Sequence, residues 1–323
     1  MADDLVISII NYKTAPMTLS CVRSVLADLS ATPDLSAHVV IVDNASGDGS
    51  VEAIAAWIAD SDAAADVTLV ASPVNGGFSA GHNLGIAARK ADFYLLLNSD
   101  AVLQPGFCRA MLDAAQADPQ GGLFAPRIDY DDGGQQISAF RVPTPASELI
   151  RGASTAQVTR ALKSYDVPLD MPPHADQIGW ASFAGIVLRA RMIDAIGNMD
   201  EGYFLYFEDT EYCLRARRAG WRIVYVPQAR MIHFRGGSAP VKALAKARKR
   251  LPAYYYASRT RLFYQAHGWF GLIAANLMWC LGRGISALRP LMGKPRPQAV
   301  AHEARDIWTN VLRPMRGPDR SGS

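Results

Sequence analysis

Residues 38–50 read HVVIVDNASGDGS: an apolar run, an acid, a string of small turn-forming residues, then a serine suited to capping a helix. The helix it predicts, over residues 50–59, buries Val51, Ile54 and Ile58 on one side. Outward from this unit the rhythm repeats. Residues 5–10 form a strand, and residues 17–29 a helix with Leu19, Val22, Leu26 and Leu29 on one face. Downstream come a strand at 67–71, a helix from 79 to 89, a strand at 93–97 and a helix at 106–117. Near-continuous apolar strands alternating with helices predict an α/β fold whose mostly parallel sheet is covered on both faces. Ligands bind beyond the carboxyl ends of such strands, so the polar residues after each strand are the ones to inspect.

After the second strand stands Asp43, placed to accept hydrogen bonds from a nucleobase or ribose, or simply to shape an Asx-rich turn. After the third comes NGGFSAGHNLG, residues 75–85, whose glycines let backbone N–H groups approach a phosphate. Its spacing is neither GxGxxG nor that of a P-loop, so a plain glycine-rich turn stays open. After the fourth comes LLLNSD, residues 95–100, with Asp100 emerging into the same mouth. There it can bind Mg²⁺ or Mn²⁺ or cap a helix.

Residues 204–233, FLYFEDTEYCLRARRAGWRIVYVPQARMIH, hold a helix with Glu208, Asp209 and Glu211 at its start and Arg215, Arg217 and Arg218 at its end. Gly220 suits a left-handed exit, and Tyr212, Cys213, Ala216 and Ala219 supply the buried face. A short strand at 221–226 follows, with His233 just beyond it. A carboxylate at a rigid helix entrance beside a returning histidine can serve as a general base next to a metal ligand. The same pattern also fits a charge-capped surface helix.

A chain of 323 residues, half of them hydrophobic and a fifth charged, is globular in composition. Its net charge of +3 hides an asymmetry: no Asp or Glu occurs from Tyr212 to His302, while about half of the 33 Lys and Arg residues fall there. Such a balance fits an anionic partner for the C-terminal third. Cys21, Cys108, Cys213 and Cys280 lack metal-type spacing and read as buried thiols in a reducing compartment. The N-terminus carries no export signal pattern, and the apolar run at 268–282 is shorter than a membrane span. A cytoplasmic location is therefore expected.

From 141 to 177 the pattern dissolves at Pro143, Pro145, Pro168, Pro172 and Pro173, as expected of a mobile loop over a site. Regular structure resumes at 180–189. After Gly236-Gly237 the chain turns basic, aromatic and apolar, which divides it into residues 1–237 and 238–323. The C-terminal end, finishing MRGPDRSGS, reads as frayed.

In order, VISIINYKT, VVIVDNASGDGS, NGGFSAGHNLGI, LLLNSD and GNMDEGYFLYFEDTEYCLRARRAGW resemble the motifs of bacterial family-2 glycosyltransferases with the GT-A fold, and of their rhamnosyltransferase-like subgroup. The resemblance covers residues 5 to 235 and implies a Rossmann-like sheet holding a nucleotide-diphosphate sugar. It implies that Tyr12, Asp43 and the loop carrying Asn75, Gly76, Gly81 and Asn83 hold the base, ribose and diphosphate. Asp100 would be the last residue of the DxD metal motif, Asp209 the catalytic base with Glu208 its neighbour, and His233 a metal-site ligand. Asn98 stands where the first Asp of DxD is usual, and Phe183-Ala184-Gly185 departs from the usual pattern near the acceptor. The implied reaction is inverting transfer, with dTDP-rhamnose favoured and a UDP-N-acetylhexosamine as the alternative donor. A non-catalytic scaffold in a glycan-assembly complex is the rival class.

Lys242, Lys246, Arg248, Lys249 and Arg250, then Tyr254 to Tyr256, Arg259, Arg261 and an apolar run fit a segment lying in an anionic membrane interface. The other reading is a helical subdomain packed on the core with its bases solvated. A polyprenyl-linked or polysaccharide acceptor at the inner membrane surface would account for the first. No groove-reading module points to nucleic acid.

Overall fold

The computed structural model describes residues 3–62, 64–234 and 241–317. β1 (Asp3–Asn11) leads through α1 (Ala15–Ser30), β2 (Ala37–Asp43), α2 (Ser50–Ala59), β3 (Val67–Ala71) and α3 (Gly77–Ala88) to β4 (Ala91–Asn98). Next come β5 (Ala101–Leu103), α4 (Phe107–Ala117), β6 (Gly121–Asp129) and the short β7 (Ala139–Phe140). Helices α5 (Pro145–Ala153) and α6 (Ala156–Ala161) precede β8 (Trp180–Ala181), β9 (Gly185–Arg189), α7 (Ala190–Ile196) and α8 (Glu208–Arg218). β10 (Arg222–His233), α9 (Val241–Lys246), α10 (Ala253–Ala287) and α11 (Glu303–Asp306) complete the chain.

The main sheet has the order β3-β2-β1-β4-β9-β6-β10-β5, with only β9 and β5 running against the rest. This is the expected mixed α/β, mostly parallel sheet. Alternation along β1 fills both faces: Leu5, Ile7 and Ile9 pack towards α1 and α4, while Val6 packs with residues of α7 and α8. At the start of α2, Gly49 with φ +86° takes the cap position expected of Ser50, and Asp48 accepts hydrogen bonds from the Ser50 backbone N–H and hydroxyl.

The expected short strand at 221–226 is longer. β10 runs on to His233 beside β6, with a register shift between Val226 and Arg230. Pro227, which has no N–H to donate, falls in that break. Because β10 is parallel to β6 and β4, its last residue arrives at the same end of the sheet as Asn11, Asp43 and Asn98. That is why His233 lies at the mouth as expected, although it ends the strand rather than following it.

Residues 141–177 are not the expected loop. Thr144 and Ser147 form a capping box for α5, and α5 packs along α10. Gly152 and Gly282 make the approach close: a Cβ at Gly152 would lie 2.3 Å from the Trp279 carbonyl oxygen. Arg259 of α10, fully buried, donates to Glu148 at 2.8 Å and Asn276 at 2.7 Å. Against the cost of burial, Arg151 and Arg259 hold the Glu148 carboxyl down to about 2. Arg259 and Arg261 are thus neither solvated nor membrane-facing, since carboxylates of the N-terminal part claim them.

The helix α10 is broken at Gly268, whose φ of +67° a residue with a side chain rarely adopts. Residues up to 317, expected to fray, fold back on α10: Ile307 is buried, and Asn276 donates to its carbonyl at 3.1 Å. The Gly236-Gly237 boundary and residues 318–323 lie outside the described residues. Cys21, Cys108 and Cys213 are buried as expected, but Cys280 is exposed because it sits on the outer face of α10. Ala219, expected on the buried face of α8, is likewise exposed at the helix exit.

Candidate active site

A cavity of about 1150 Å³ opens at the carboxyl ends of β1, β2, β4 and β10. Tyr12, Asn75, Asn98, Asp100, Glu208, Asp209 and His233 all line it. Asp43, Gly76, Gly81 and Asn83 do not line it; they stand behind its wall.

Asp43 is buried. Its Oδ2 accepts from Asn11 Nδ2 at 2.7 Å and from the Ser46 hydroxyl at 2.5 Å, and its Oδ1 accepts from the Ser46 backbone N–H at 3.0 Å. It therefore sets the turn after β2, which delivers Asn44 to the cavity. Asn44 donates to Asn75 Oδ1 and to the Gly77 carbonyl, both at 3.0 Å, and accepts from the Gly76 N–H. Gly77, at φ +81°, lies against the Phe204 carbonyl, where a Cβ would come within 2.0 Å of the oxygen. The Phe78 N–H donates to that carbonyl at 2.8 Å. Gly81 gives α3 its close seat on Ile10. His82, the next residue of α3, is buried and kept neutral by burial, its pKa lowered to about 3.

Asn83 reaches across to residues 199–201, donating to the Met199 carbonyl and Glu201 and accepting from the Met199 N–H. The glycine-rich segment thus holds the loop that leads into α8. That loop ends in two consecutive left-handed residues, Tyr206 and Phe207, both at φ +71°. Such a conformation is unfavourable for aromatic residues and persists only when the surroundings enforce it. Tyr254 and Tyr255 pack on Phe204, Tyr206 and Phe207 from the side of α10.

The strained turn delivers the acidic pair. Glu208 is buried, and its Oε2 has no hydrogen-bond partner among the described residues. Burial, and then the neighbouring Asp209 charge, push its carboxyl well above the usual range. Burial also raises Asp209 to about 6, with hydrogen bonds from the Thr210 N–H and hydroxyl to Oδ1 restraining the rise. Two adjacent buried carboxyls avoid double ionisation by separating their pKa values. Burial and the neighbouring charge thus push Glu208 towards its protonated form, while Asp209, at about 6, is mostly ionised at neutral pH, as a general base requires.

On the neighbouring strands, His233 Nε2 lies 3.1 Å from Asp100 Oδ1 and 3.5 Å from Asn98 Nδ2. Antiparallel pairing of β5 with β10 sets His233 opposite Ala101, which brings Asp100 beside it. No cluster of three or more His, Cys, Asp and Glu side chains suited to a metal occurs among the described residues. Asp100 and His233, with the Asn98 amide near, nonetheless fit a Mg²⁺ or Mn²⁺ ion. Such an ion keeps several waters and takes substrate phosphate oxygens alongside one or two protein ligands.

The remaining wall is aromatic and C-terminal. Phe140 and Trp180 stack with centroids 4.1 Å apart, and Tyr254, Thr309, Asn310 and Arg316 close the other side. Residues 254–256 are legible in the sequence as an aromatic run, but nothing local says that Tyr254 alone of the three lines the cavity.

The model of the family described as "Glycosyltransferase like family 2" matches residues 3–257. The chain belongs to that family. This glycosyltransferase is 29% identical over 312 residues to the N-acetylglucosaminyl-diphospho-decaprenol L-rhamnosyltransferase of Mycobacterium tuberculosis, covering 90% of this chain and 92% of that one. It is 26% identical to the low-salt glycan biosynthesis hexosyltransferase Agl10 of Haloferax volcanii, over 68% of this chain and 63% of that one. Among solved structures, the mannosyltransferase PcManGT of Pyrobaculum calidifontis, in complex with GDP-Man and Mn²⁺, superposes with a TM-score of 0.58 at 13% identity. The match covers 91% of this chain and 77% of that one, which shows that the two share the GT-A fold. The family and fold expected from the motifs are those found.

Proposed function

We propose that this glycosyltransferase moves one sugar, with inversion, from a nucleotide-diphosphate donor to a lipid-linked glycan acceptor at the cytoplasmic face of the membrane. The observation that carries the reading is Asp209: an ionised carboxylate, raised to about 6, in one cavity with the Asp100–His233 pair. Its Oδ1 is occupied by Thr210, and Oδ2 takes the proton from the acceptor hydroxyl. The acceptor oxygen then bonds to the anomeric carbon from the face opposite the diphosphate, and the carbon–oxygen bond to the diphosphate breaks. Glu208, pushed by burial towards its neutral form, adds less negative charge beside the forming bond. Tyr12, Asn44 and Asn75 hold the nucleotide, while Asp43, Gly76, Gly81 and Asn83 shape the loops that do so. Asp100 and His233, with Asn98, would hold Mg²⁺ or Mn²⁺, which when bound neutralises charge on the departing diphosphate.

Similarity to the decaprenol-linked rhamnosyltransferase favours dTDP-rhamnose as donor and a polyprenyl-diphosphate sugar as acceptor. A panel of nucleotide sugars, assayed for nucleotide-diphosphate release with and without Mn²⁺, tests this. Metal-dependent release from dTDP-rhamnose is expected. Release from UDP-N-acetylglucosamine and none from dTDP-rhamnose would refute the donor, and no release from any donor would refute the enzyme reading.

A further inference from the structure

Beyond Gly268 the two faces of α10 differ sharply. Leu272, Ala275, Asn276, Trp279, Gly282 and Ser286 are buried against α5 and the C-terminal turns. The outer face exposes Phe270 (93%), Leu277 (51%), Leu281 (52%) and Leu288 (58%), with Leu291 (84%) just past the helix end. The separations of seven, four and seven residues set the first four along a single stripe. Leu312 and Met315 are exposed on the turns that follow Val311, which packs against Leu272, and those turns run on into the cavity wall at Arg316.

By length and composition the helix from Ala253 to Leu291 could cross a bilayer. Its break at Gly268 and the close packing of its inner face on α5 do not suit a simple span. The charged residues within 269–297, Arg283, Arg289, Lys294 and Arg296, are all basic. Arg283 and Arg289 donate to backbone carbonyls of Gly152, Pro297 and Ser154 rather than to carboxylates, and Lys294 and Arg296 are exposed further along. A second copy of the chain on this face would crowd those cations together, whereas anionic lipid headgroups match them and acyl chains cover the leucines.

We infer that the outer face of residues 269–291 is the surface by which this enzyme lies on an anionic bilayer. The half-helix is parallel to the membrane, and the cavity wall at Arg316 is brought near the lipid. This rests on the membrane clause of the proposed function and specifies the element that carries it.

Cys280 offers a direct probe. It is exposed between Leu277 and Leu281, while Cys21, Cys108 and Cys213 are buried. The full-length protein, labelled there with an environment-sensitive thiol fluorophore, is mixed with vesicles of phosphatidylglycerol and phosphatidylcholine carrying a doxyl-lipid quencher. A blue shift, quenching by the doxyl lipid and weaker response to pure phosphatidylcholine are expected. Replacing Leu277 and Leu281 together by Asp should weaken vesicle co-sedimentation about tenfold or more. Donor hydrolysis by that variant should be unchanged, since neither residue lines the cavity. Equal vesicle binding by the variant, with an unquenched probe, would overturn this face while leaving membrane association intact. Absence of vesicle binding in the wild type would overturn both. A probe response that follows protein concentration without lipid, with dimer mass by light scattering, would overturn the lipid assignment in favour of a second copy.

Discussion

Arg261 donates from Nε and Nη2 to the two carboxylate oxygens of Asp200, each at 2.9 Å, across the joint between α10 and the loop that presents Asp209. Gln265, one turn on, also donates to Asp200 and accepts from the Tyr203 hydroxyl. Arg218, at the end of α8, in turn donates to the carbonyls of Gln265 and Ala266, just before the break in α10. The C-terminal helix therefore braces both ends of α8.

From this brace, Arg261→Lys should lower kcat for transfer by about tenfold while leaving the donor KM within about twofold, because a lysine cannot make the forked pair. Arg261→Ala should in addition cost roughly 2–4 kcal/mol of stability in urea unfolding, since Asp200 loses its main partner. Unchanged kcat in Arg261→Lys would show that the loop holds its shape without the brace. Gly202 adds a second check. A Cβ there would come within 2.2 Å of the Arg261 guanidinium carbon, so Gly202→Ala should reproduce the Arg261 phenotype.

The acidic pair makes a pH prediction for both activity and stability. Asp209 must be ionised, so kcat should rise as pH passes through about 6. Glu208 has a folded pKa raised above its unfolded value, so the native state binds the extra proton. Stability must then fall as pH rises above the unfolded value near 4.5, by up to about 1.4 kcal/mol per pH unit. Glu208→Gln removes that proton, and its urea midpoint should fall less steeply than wild type as pH rises above about 4.5. Identical slopes would place the extra proton elsewhere.

Gly77→Ala should damage both halves of the site together. The left-handed backbone costs about 1–3 kcal/mol for a residue with a side chain, and the new methyl would strike the Phe204 carbonyl. Loss of nucleotide-diphosphate binding by calorimetry and loss of transfer are expected in parallel. A variant that binds normally would separate the glycine-rich loop from the nucleotide.

Metal binding can be read without turnover. In the presence of a nucleoside diphosphate, Asp100→Asn and His233→Ala should each weaken Mn²⁺ affinity by about tenfold or more, as followed by the free-ion electron paramagnetic resonance signal. Wild-type affinity in both variants would remove the pair from the metal site.

The sheet was legible from 38–50 outward because strand and helix periods alternate cleanly there, and Asn98, Asp100 and Asp209 reach the cavity as strand or helix ends must. Asp43 illustrates a limit of local reading: an acid at a strand end looks like a ligand group, yet Ser46, three residues on, and Asn11, on the neighbouring strand, occupy its oxygens. His233 needed the whole of β10, and a proline in the run disguised the strand. The bracing of α8 by Arg261 and Gln265, and the pairing of Arg259 with Glu148, depend on contacts between residues far apart in the chain. A basic stretch alone cannot tell a buried ion pair from a surface charge.

The central claim, that Asp209 is the base, is tested most directly by Asp209→Asn, which keeps shape and removes the charge. Nucleotide-diphosphate binding, measured by calorimetry, should stay within about twofold of wild type, while sugar transfer in the same preparation falls by roughly a hundred- to ten-thousandfold. Transfer at the wild-type rate with binding intact would contradict the account.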